Sequence, residues 1–137
     1  LIFYLTLNDI RVFIVIEEPE AHLYPEAQKE ILEIIALLAN ISTNEVFITT
    51  HSPYILSSLN NLIYASALGK TKSEMIEKIV DKKIWCSIEK TNAFFIENGK
   101  ARDIIDTEIS LIQAEAIDNA SILINQTFDK LMDIDDE

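Results

Sequence analysis

Glycine, cysteine and basic residues are all scarce in this 137-residue chain. Its two glycines, Gly69 and Gly99, do not lie in a GxxxxGK(S/T) pattern, so the chain lacks the glycine-rich loop that cradles phosphate groups. The single cysteine, Cys86, excludes an internal disulfide and a cysteine-built metal site, which agrees with a reducing compartment.

Basic residues number 11 against 23 acidic ones, so the summed charge repels polyanions. Any contact with nucleic acid must therefore be local or be made by another part of a larger assembly. No apolar run approaches the ~20 residues of a membrane span, and no signal segment is recognisable, so we expect a cytoplasmic protein without membrane contact.

The overall composition, 49% hydrophobic and 25% charged, is typical of a globular protein, and we expect residues 1–137 to form a single domain. The first residues are already apolar and no initiator methionine precedes them, which favours a piece of a longer protein. Residues 1–8 are apolar enough to form the last turns of a helix.

Strands and helices alternate in the first half of the chain. The apolar run at 11–16 predicts a strand buried on both faces, and Pro25 predicts the start of a helix that ends near Asn40. A second buried strand at 45–50, a helix from Pro53 to about residue 59 and a third strand at 62–65 follow. This order indicates an α/β fold with a parallel sheet core and flanking helices.

The second half predicts smaller elements after this core of residues 8–66. Apolar spacing at 70–83 predicts a short amphipathic helix, and residues 84–88 are strand-like. Strands at 93–97 and 101–105, joined by Asn98-Gly99, predict a β-hairpin. From residue 108 onward, apolar residues at spacings of three and four predict one long C-terminal helix, so residues 67–137 contain the hairpin and this helix.

Polar side chains that can take part in catalysis or binding follow the first two predicted strands. Glu17 and Glu18 end the first strand, and His51 follows the second. Ligands bind beyond the carboxyl ends of parallel strands, so these side chains are placed to handle a phosphate or a metal. An acid that organises Mg²⁺, an acid that activates water and a histidine that senses a phosphate are what a nucleoside-triphosphate hydrolase needs there.

The stretches FIVIEEPEAHLYP (13–25) and ITTHSPYIL (48–56) resemble the Walker B, D-loop and switch-histidine region of ABC-type ATPases. The resemblance is to the branch that contains the AAA15-like and OLD-type (overcoming lysogenisation defect) proteins, which are relatives of the RecF and SMC ATPases. The motifs that carry it strongly lie within about 8–66, and the C-terminal part of the chain resembles the family more weakly. The Walker A loop, Q-loop and signature motif have no counterpart in the chain.

The resemblance implies a role for each matching residue. It places Glu17 at the magnesium-organising acid, where the general ABC pattern has Asp, and Glu18 at the catalytic carboxylate. It places His51 at the histidine that senses the γ-phosphate of ATP. Residues 21–24 fall on the D-loop, so His22, Leu23 and Tyr24 would contact nucleotide or partner across a dimer interface.

The resemblance also implies cofactors and partners. The chain would work with ATP and Mg²⁺ in a full-length protein, packed on a missing N-terminal ATPase portion, as a homodimer, with possible DNA contact through the parent. Without a glycine-rich loop we expect no ATP hydrolysis by this chain alone. Loss of the N-terminal portion would expose apolar surface and favour self-association.

Two other functions compete with this interpretation. The chain could be an interaction or dimerisation module that has lost catalysis. It could also be a metal-dependent nuclease using Glu17, Glu18, His22 and His51, because OLD-type ATPases are often joined to a Toprim nuclease. A Toprim centre needs an Asp-x-Asp pair after a strand, whereas 133–135 follow the predicted terminal helix, so the nuclease is the least favoured.

Overall fold

A computed structural model describes residues 11–41 and 44–113 of the chain. Its first part is a β-α-β unit. Strand β1 (Phe13–Glu17) pairs in parallel with strand β2 (Glu45–Thr49), and helix α1 (Pro25–Asn40) connects them. The two predicted strands, the helix between them and the parallel pairing are confirmed.

Helix α1 begins at Pro25, whose fixed φ suits the first helical position and whose missing N–H would have had no helical partner. Its buried positions repeat at helical spacing and are Gln28, Leu32, Ile35, Ala36 and Leu38. After the helix, the buried side chain of Asn44 connects α1 to the start of β1. Its Nδ2 donates to the Leu38 carbonyl (2.8 Å), and its Oδ1 accepts from the Val12 N–H (3.0 Å).

Only one face of the strand pair is covered in the described part of the chain. Side chains alternate across the strands, and those at 14, 16, 46 and 48 are half-buried. On the opposite side Phe13, Val15 and Phe47 are 66%, 55% and 53% exposed. We call this side, with Glu17, Glu45 and Thr49, the open sheet face. The prediction of strands buried on both faces is therefore wrong for the described residues, whose helices cover one side alone.

Helix α2 (Pro53–Glu77) is much longer than predicted. The third strand predicted at 62–65 does not form, because Leu62, Ile63 and Ala65 continue the buried face that Ile55 and Leu56 begin. No proline or glycine interrupts residues 54–68, so nothing in the backbone ends the helix early. The sheet consequently has two parallel strands among the described residues.

The helix predicted at 70–83 is in part the end of α2. The backbone of Lys72 is non-helical (φ −132°, ψ 38°) and breaks α2 near its end, and the chain then turns into a 3₁₀ helix at Lys82–Ile84. The strand predicted at 84–88 is wrong. Extended residues there bond to helices instead of a sheet, since the Cys86 N–H donates to the Leu62 carbonyl, and a second 3₁₀ helix follows at Ile88–Lys90.

The predicted hairpin is confirmed as β3 (Phe94–Glu97) and β4 (Lys100–Asp103). Asn98 and Gly99 have φ of 51° and 72°, the pair of positive values that a tight type I′ turn requires. Strands β5 (Ile105–Asp106) and β6 (Leu111–Ile112) then pair with each other.

The terminal helix predicted from residue 108 is wrong over 108–113, which form a turn and β6. Its remainder at 114–137, like the helix predicted at 1–8, lies outside the described residues. Ile112 packs with Leu56, Ile63 and Ile104 in the core of this half. The Asn60 side chain bonds both backbone groups of Ile112, at 2.8 and 2.9 Å.

The described residues thus form a mixed α/β structure of one parallel pair, two antiparallel pairs and two main helices. Among the helices in these ranges, none combines the length and apolar character that a membrane crossing requires.

Candidate active site

The carboxyl ends of β1 and β2 lie side by side and carry the candidate site. Glu17 is directly opposite Thr49 in the parallel register. The ladder continues one step further, because the Glu18 N–H donates to the Thr49 carbonyl at 2.8 Å. The loop after β1, residues 18–24, and the loop after β2, residues 50–52, are therefore adjacent. We call them the acidic loop and the histidine loop.

Glu18 and His51 meet between these loops. His51 Nε2 lies 3.3 Å from Glu18 Oε1, and the two side chains are 88% and 54% exposed. An imidazole and a carboxylate at this separation can share a proton and can both reach a molecule bound at the strand ends. The structure thus brings together the two residues that were predicted to be catalytic.

Glu17 lies apart from this pair. It is exposed and belongs by strand alternation to the open sheet face, together with Val15. Within residues 11–41 and 44–113, no group of three or more His, Cys, Asp or Glu side chains is arranged to hold a metal ion. Mg²⁺ ordinarily uses one or two carboxylates, several waters and substrate phosphates, so the exposed carboxylate of Glu17 has the chemistry for the protein's part of such a site.

The acidic loop is built from tight turns with an unusual backbone. The Ala21 N–H donates to the Glu18 carbonyl and the Leu23 N–H to the Glu20 carbonyl, both at 2.9 Å. Glu18 and His22 have φ of 44° and 65°, the left-handed region that costs energy for residues other than glycine. Such strain persists where surrounding contacts enforce it, and it is common at functional sites.

The residues predicted to bind nucleotide or partner are on the surface of the acidic loop. His22 and Leu23 are exposed, and Tyr24 is 83% exposed immediately before α1. Their side chains are accessible, but the structure does not group them with Glu18 and His51. A contact across an interface is compatible with this placement.

The histidine loop leads into α2 through Ser52. Its buried Oγ accepts from the N–H groups of Tyr54 (3.1 Å) and Ile55 (3.4 Å), which is ordinary N-terminal capping. These two amides are therefore occupied, and an anion beside the loop would be recognised chiefly by the His51 side chain.

Two site residues were missed by sequence reasoning. Glu20 Oε1 accepts from Thr50 Oγ1 (2.6 Å) and from the His51 N–H (2.8 Å), so it joins the two loops. Gln28 is buried and joins them a second time through Ser52. The available signals were a third acid in Glu17-Glu18-Pro19-Glu20 and a polar residue on the apolar face of α1.

Opposing effects act on the pKa of Glu20. Partial burial raises it, whereas the hydrogen bonds from Thr50 and from backbone N–H groups, together with the nearby His51, lower it. Burial is the largest single effect, but the lowering effects together outweigh it, so the pKa lies below the ordinary value of 4.5 and Glu20 is a carboxylate at neutral pH.

A cavity lies elsewhere in the described residues, away from the candidate site. It has a volume of about 590 Å³ and lies between α1, α2 and the segment after them, lined by residues that include Lys29, Leu62 and Ile76. Neither Glu18 nor His51 lines it. Because the side chains of Glu18 and His51 are largely exposed, the candidate site is an open surface that other groups would have to enclose.

The comparisons with known proteins point to the same stretch of chain. Residues 6–56 match the family model described as an AAA ATPase domain. The match spans β1, both loops and the first turn of α2, so it supports an ATPase-like segment there, although it covers less than half of the chain. No curated protein and no solved structure matches the chain significantly.

Proposed function

We propose that this chain is the C-terminal part of an ABC-class ATPase domain of the AAA15-like and OLD-type branch. It would supply the catalytic carboxylate, D-loop and switch histidine for hydrolysis of ATP in a longer protein. The observation that carries the proposal is the 3.3 Å approach of His51 to Glu18 where two parallel strands end, within the stretch that matches an ATPase family model.

The roles follow from the positions of the side chains. Glu18 would orient and deprotonate the attacking water, a task for which a carboxylate beside an imidazole is suited. His51 would donate a hydrogen bond to an oxygen of the γ-phosphate, because its side chain projects into solvent. His22, Leu23 and Tyr24 would contact nucleotide or the second subunit across a homodimer.

Glu17 would hold Mg²⁺ through its waters. Bound there, Mg²⁺ supplies charge neutralisation for the phosphate oxygens of ATP.

The open sheet face supports the missing N-terminal ATPase portion as a partner. Parallel strands are ordinarily covered on both faces, and here Phe13, Val15 and Phe47 present an apolar surface next to Glu17. A second layer packed on that face would enclose the strand ends and bring in the phosphate-binding loop that this sequence lacks. We therefore propose that the chain alone does not hydrolyse ATP. Contact with DNA would be made by the parent protein.

A non-catalytic interaction module is the second candidate, and the same open face favours it. An apolar surface of this kind can serve assembly without any chemistry, in which case Glu18 and His51 would be structural residues. The nuclease hypothesis gains no such support, because the described residues do not gather Glu17, Glu18, His22 and His51 into a metal-holding group.

The decisive experiment measures ATP turnover by the complete protein encoded by the full reading frame, and by this chain alone. Glu18→Gln should lower turnover about 100-fold or more, and His51→Ala should lower it at least about tenfold. Glu26→Gln, an exposed acid in the first turn of α1, is the matched control and should leave turnover unchanged. Circular dichroism establishes that each variant is folded.

Full activity of a folded Glu18→Gln protein would contradict the catalytic proposal. An inactive wild-type complete protein would favour the interaction module. Turnover by this chain alone that Glu18→Gln abolishes would contradict the proposal that the N-terminal portion is required.

A further inference from the structure

Hydrogen bonds made by two side chains connect the two loops of the candidate site, and the proposed mechanism uses neither side chain. We call each of these connections a tie. One tie is a carboxylate, Glu20, and the other is a buried amide, Gln28. They start from different elements, the acidic loop and helix α1, and both end on the histidine loop.

The Glu20 tie acts on the backbone of His51. A single oxygen, Oε1, accepts from Thr50 Oγ1 at 2.6 Å and from the His51 N–H at 2.8 Å. Thr50 Oγ1 in turn accepts from the Ser52 N–H at 3.0 Å, so one carboxylate organises all three residues of the histidine loop. Charged hydrogen bonds of this kind are shorter and stronger than neutral ones.

The Gln28 tie runs through the protein interior. Ser52 Oγ donates to Gln28 Oε1 at 2.5 Å, and Gln28 Nε2 donates to the Leu23 carbonyl at 2.9 Å. Gln28 and Ser52 are both buried, so water cannot substitute for these bonds without opening the structure. The amide therefore connects the residue after His51 directly to the proposed D-loop.

These ties matter because little else holds the catalytic pair. The side chains of His51 and Glu18 are 88% and 54% exposed, so packing does not set their separation. Their positions depend on the two backbones, and that of Glu18 is in the strained left-handed region at φ 44°. A strained backbone keeps its shape only where neighbouring contacts enforce it.

We infer that Glu20 and Gln28 are positioning residues that hold the histidine loop and the acidic loop in the one arrangement where His51 faces Glu18. Gln28 also links the position of the histidine loop to that of residues 21–24. The inference rests on the proposed function for its catalytic meaning, while the geometry can be tested without it.

In the complete protein, Glu20→Ala and Gln28→Met should each lower kcat for ATP about tenfold to a hundredfold, since small misplacements of reacting groups are costly. The KM for ATP should change less than about twofold, because neither residue is proposed to touch nucleotide. Glu20→Gln should recover part of the loss, since an amide oxygen still accepts a hydrogen bond. Glu26→Gln and Lys29→Met are matched controls on α1 and should behave as wild type.

The His51→Ala background separates positioning from general stability. If Glu20 acts through His51, Glu20→Ala should lower kcat less than about twofold further in that background. An equal loss in both backgrounds would overturn the inference, as would wild-type kcat in folded Glu20→Ala and Gln28→Met proteins.

Amide hydrogen exchange on this chain alone tests the geometry even if the complete protein hydrolyses no ATP. Glu20→Ala should accelerate exchange of the His51 N–H about tenfold, with Glu20→Gln intermediate and the Ile63 N–H inside α2 unchanged. Gln28→Met should shift the backbone resonances of His51, which Gln28 does not contact directly, and Lys29→Met should not. An unchanged His51 amide in both variants would overturn the positioning role independently of any result on catalysis.

Discussion

Gly69 lies against the ring of Trp85, so the substitution Gly69→Ala has two opposite effects on stability. Gly69 lies inside α2, where glycine costs about 1 kcal/mol relative to alanine, so helix propensity alone favours Gly69→Ala. A Cβ at this position would, however, stand 2.0 and 2.4 Å from ring atoms of Trp85. Distances this short are impossible, so the indole ring would have to move.

Moving the ring breaks the contacts that hold it. The Trp85 Nε1–H donates to the Val80 carbonyl at 2.9 Å, and Lys82 Nζ lies 5.9 Å from the ring centroid. Overpacking costs about 1–3 kcal/mol, and a lost hydrogen bond adds about 1 kcal/mol. These terms exceed the gain in helix propensity, so we expect Gly69→Ala to lower the free energy of unfolding by about 1–3 kcal/mol.

Urea unfolding followed by far-UV circular dichroism measures this directly, because that signal does not depend on Trp85, the only tryptophan of the chain. In a Trp85→Leu background the clash is relieved, and Gly69→Ala should become stabilising by up to about 1 kcal/mol. Ala67→Gly, at an exposed position of the same helix, should cost about 1 kcal/mol in either background. A Gly69→Ala protein more stable than wild type with Trp85 in place would refute the reasoning.

Three further predictions concern acid stability, thiol reactivity and association. Because the pKa of Glu20 is lowered in the folded chain, its ionised form stabilises the fold at pH values above 4.5, the ordinary pKa of the group. The difference in unfolding free energy between wild type and Glu20→Gln, on the order of 1 kcal/mol at neutral pH, should therefore shrink as pH falls through the folded-state pKa, and a difference independent of pH would contradict this. Burial raises the pKa of the Cys86 thiol to about 11, so alkylation by iodoacetamide at pH 8 should be about 100-fold slower in the folded chain than in urea; equal rates would refute it. The open sheet face should make this chain self-associate, and Phe47→Thr should weaken that association in light scattering. Tyr64→Gln, at a similarly exposed site on α2, is the control and should not weaken it. A strict monomer at all concentrations would show the expectation to be wrong.

Elements set by local signals were predictable from sequence. Pro25 begins α1, two short apolar runs form β1 and β2, and Asn98-Gly99 turns the hairpin. The continuation of α2 was not predictable in the same way, because the stretch Leu-Ile-Tyr-Ala at 62–65 satisfies strand and helix patterns equally. Tertiary packing of Leu62 and Ile63 against the core decided between them.

Some residues of the candidate site were likewise predictable from sequence and others were not. That Glu18 and His51 would lie together follows from parallel pairing, since both come immediately after strands that end at the same edge. The roles of Glu20 and Gln28 depend on side-chain directions in two separate loops, which spacing along the chain does not reveal. A buried polar residue at a core position of α1 was the visible signal for Gln28, because such a group requires a hydrogen-bonding partner.

The strained backbone of Glu18 explains how two consecutive acids come to serve different sides of the structure. Glu17 ends β1 with normal strand geometry and stays on the open sheet face, beside the surface that we propose a further ATPase layer covers. In a continued strand Glu18 would point to the opposite, helix-covered side. Its positive φ ends the strand instead, and its carboxylate meets His51 above the strand ends. The roles that we propose for these two residues, Glu17 with the metal and Glu18 with the attacking water, therefore depend on this turn at residue 18.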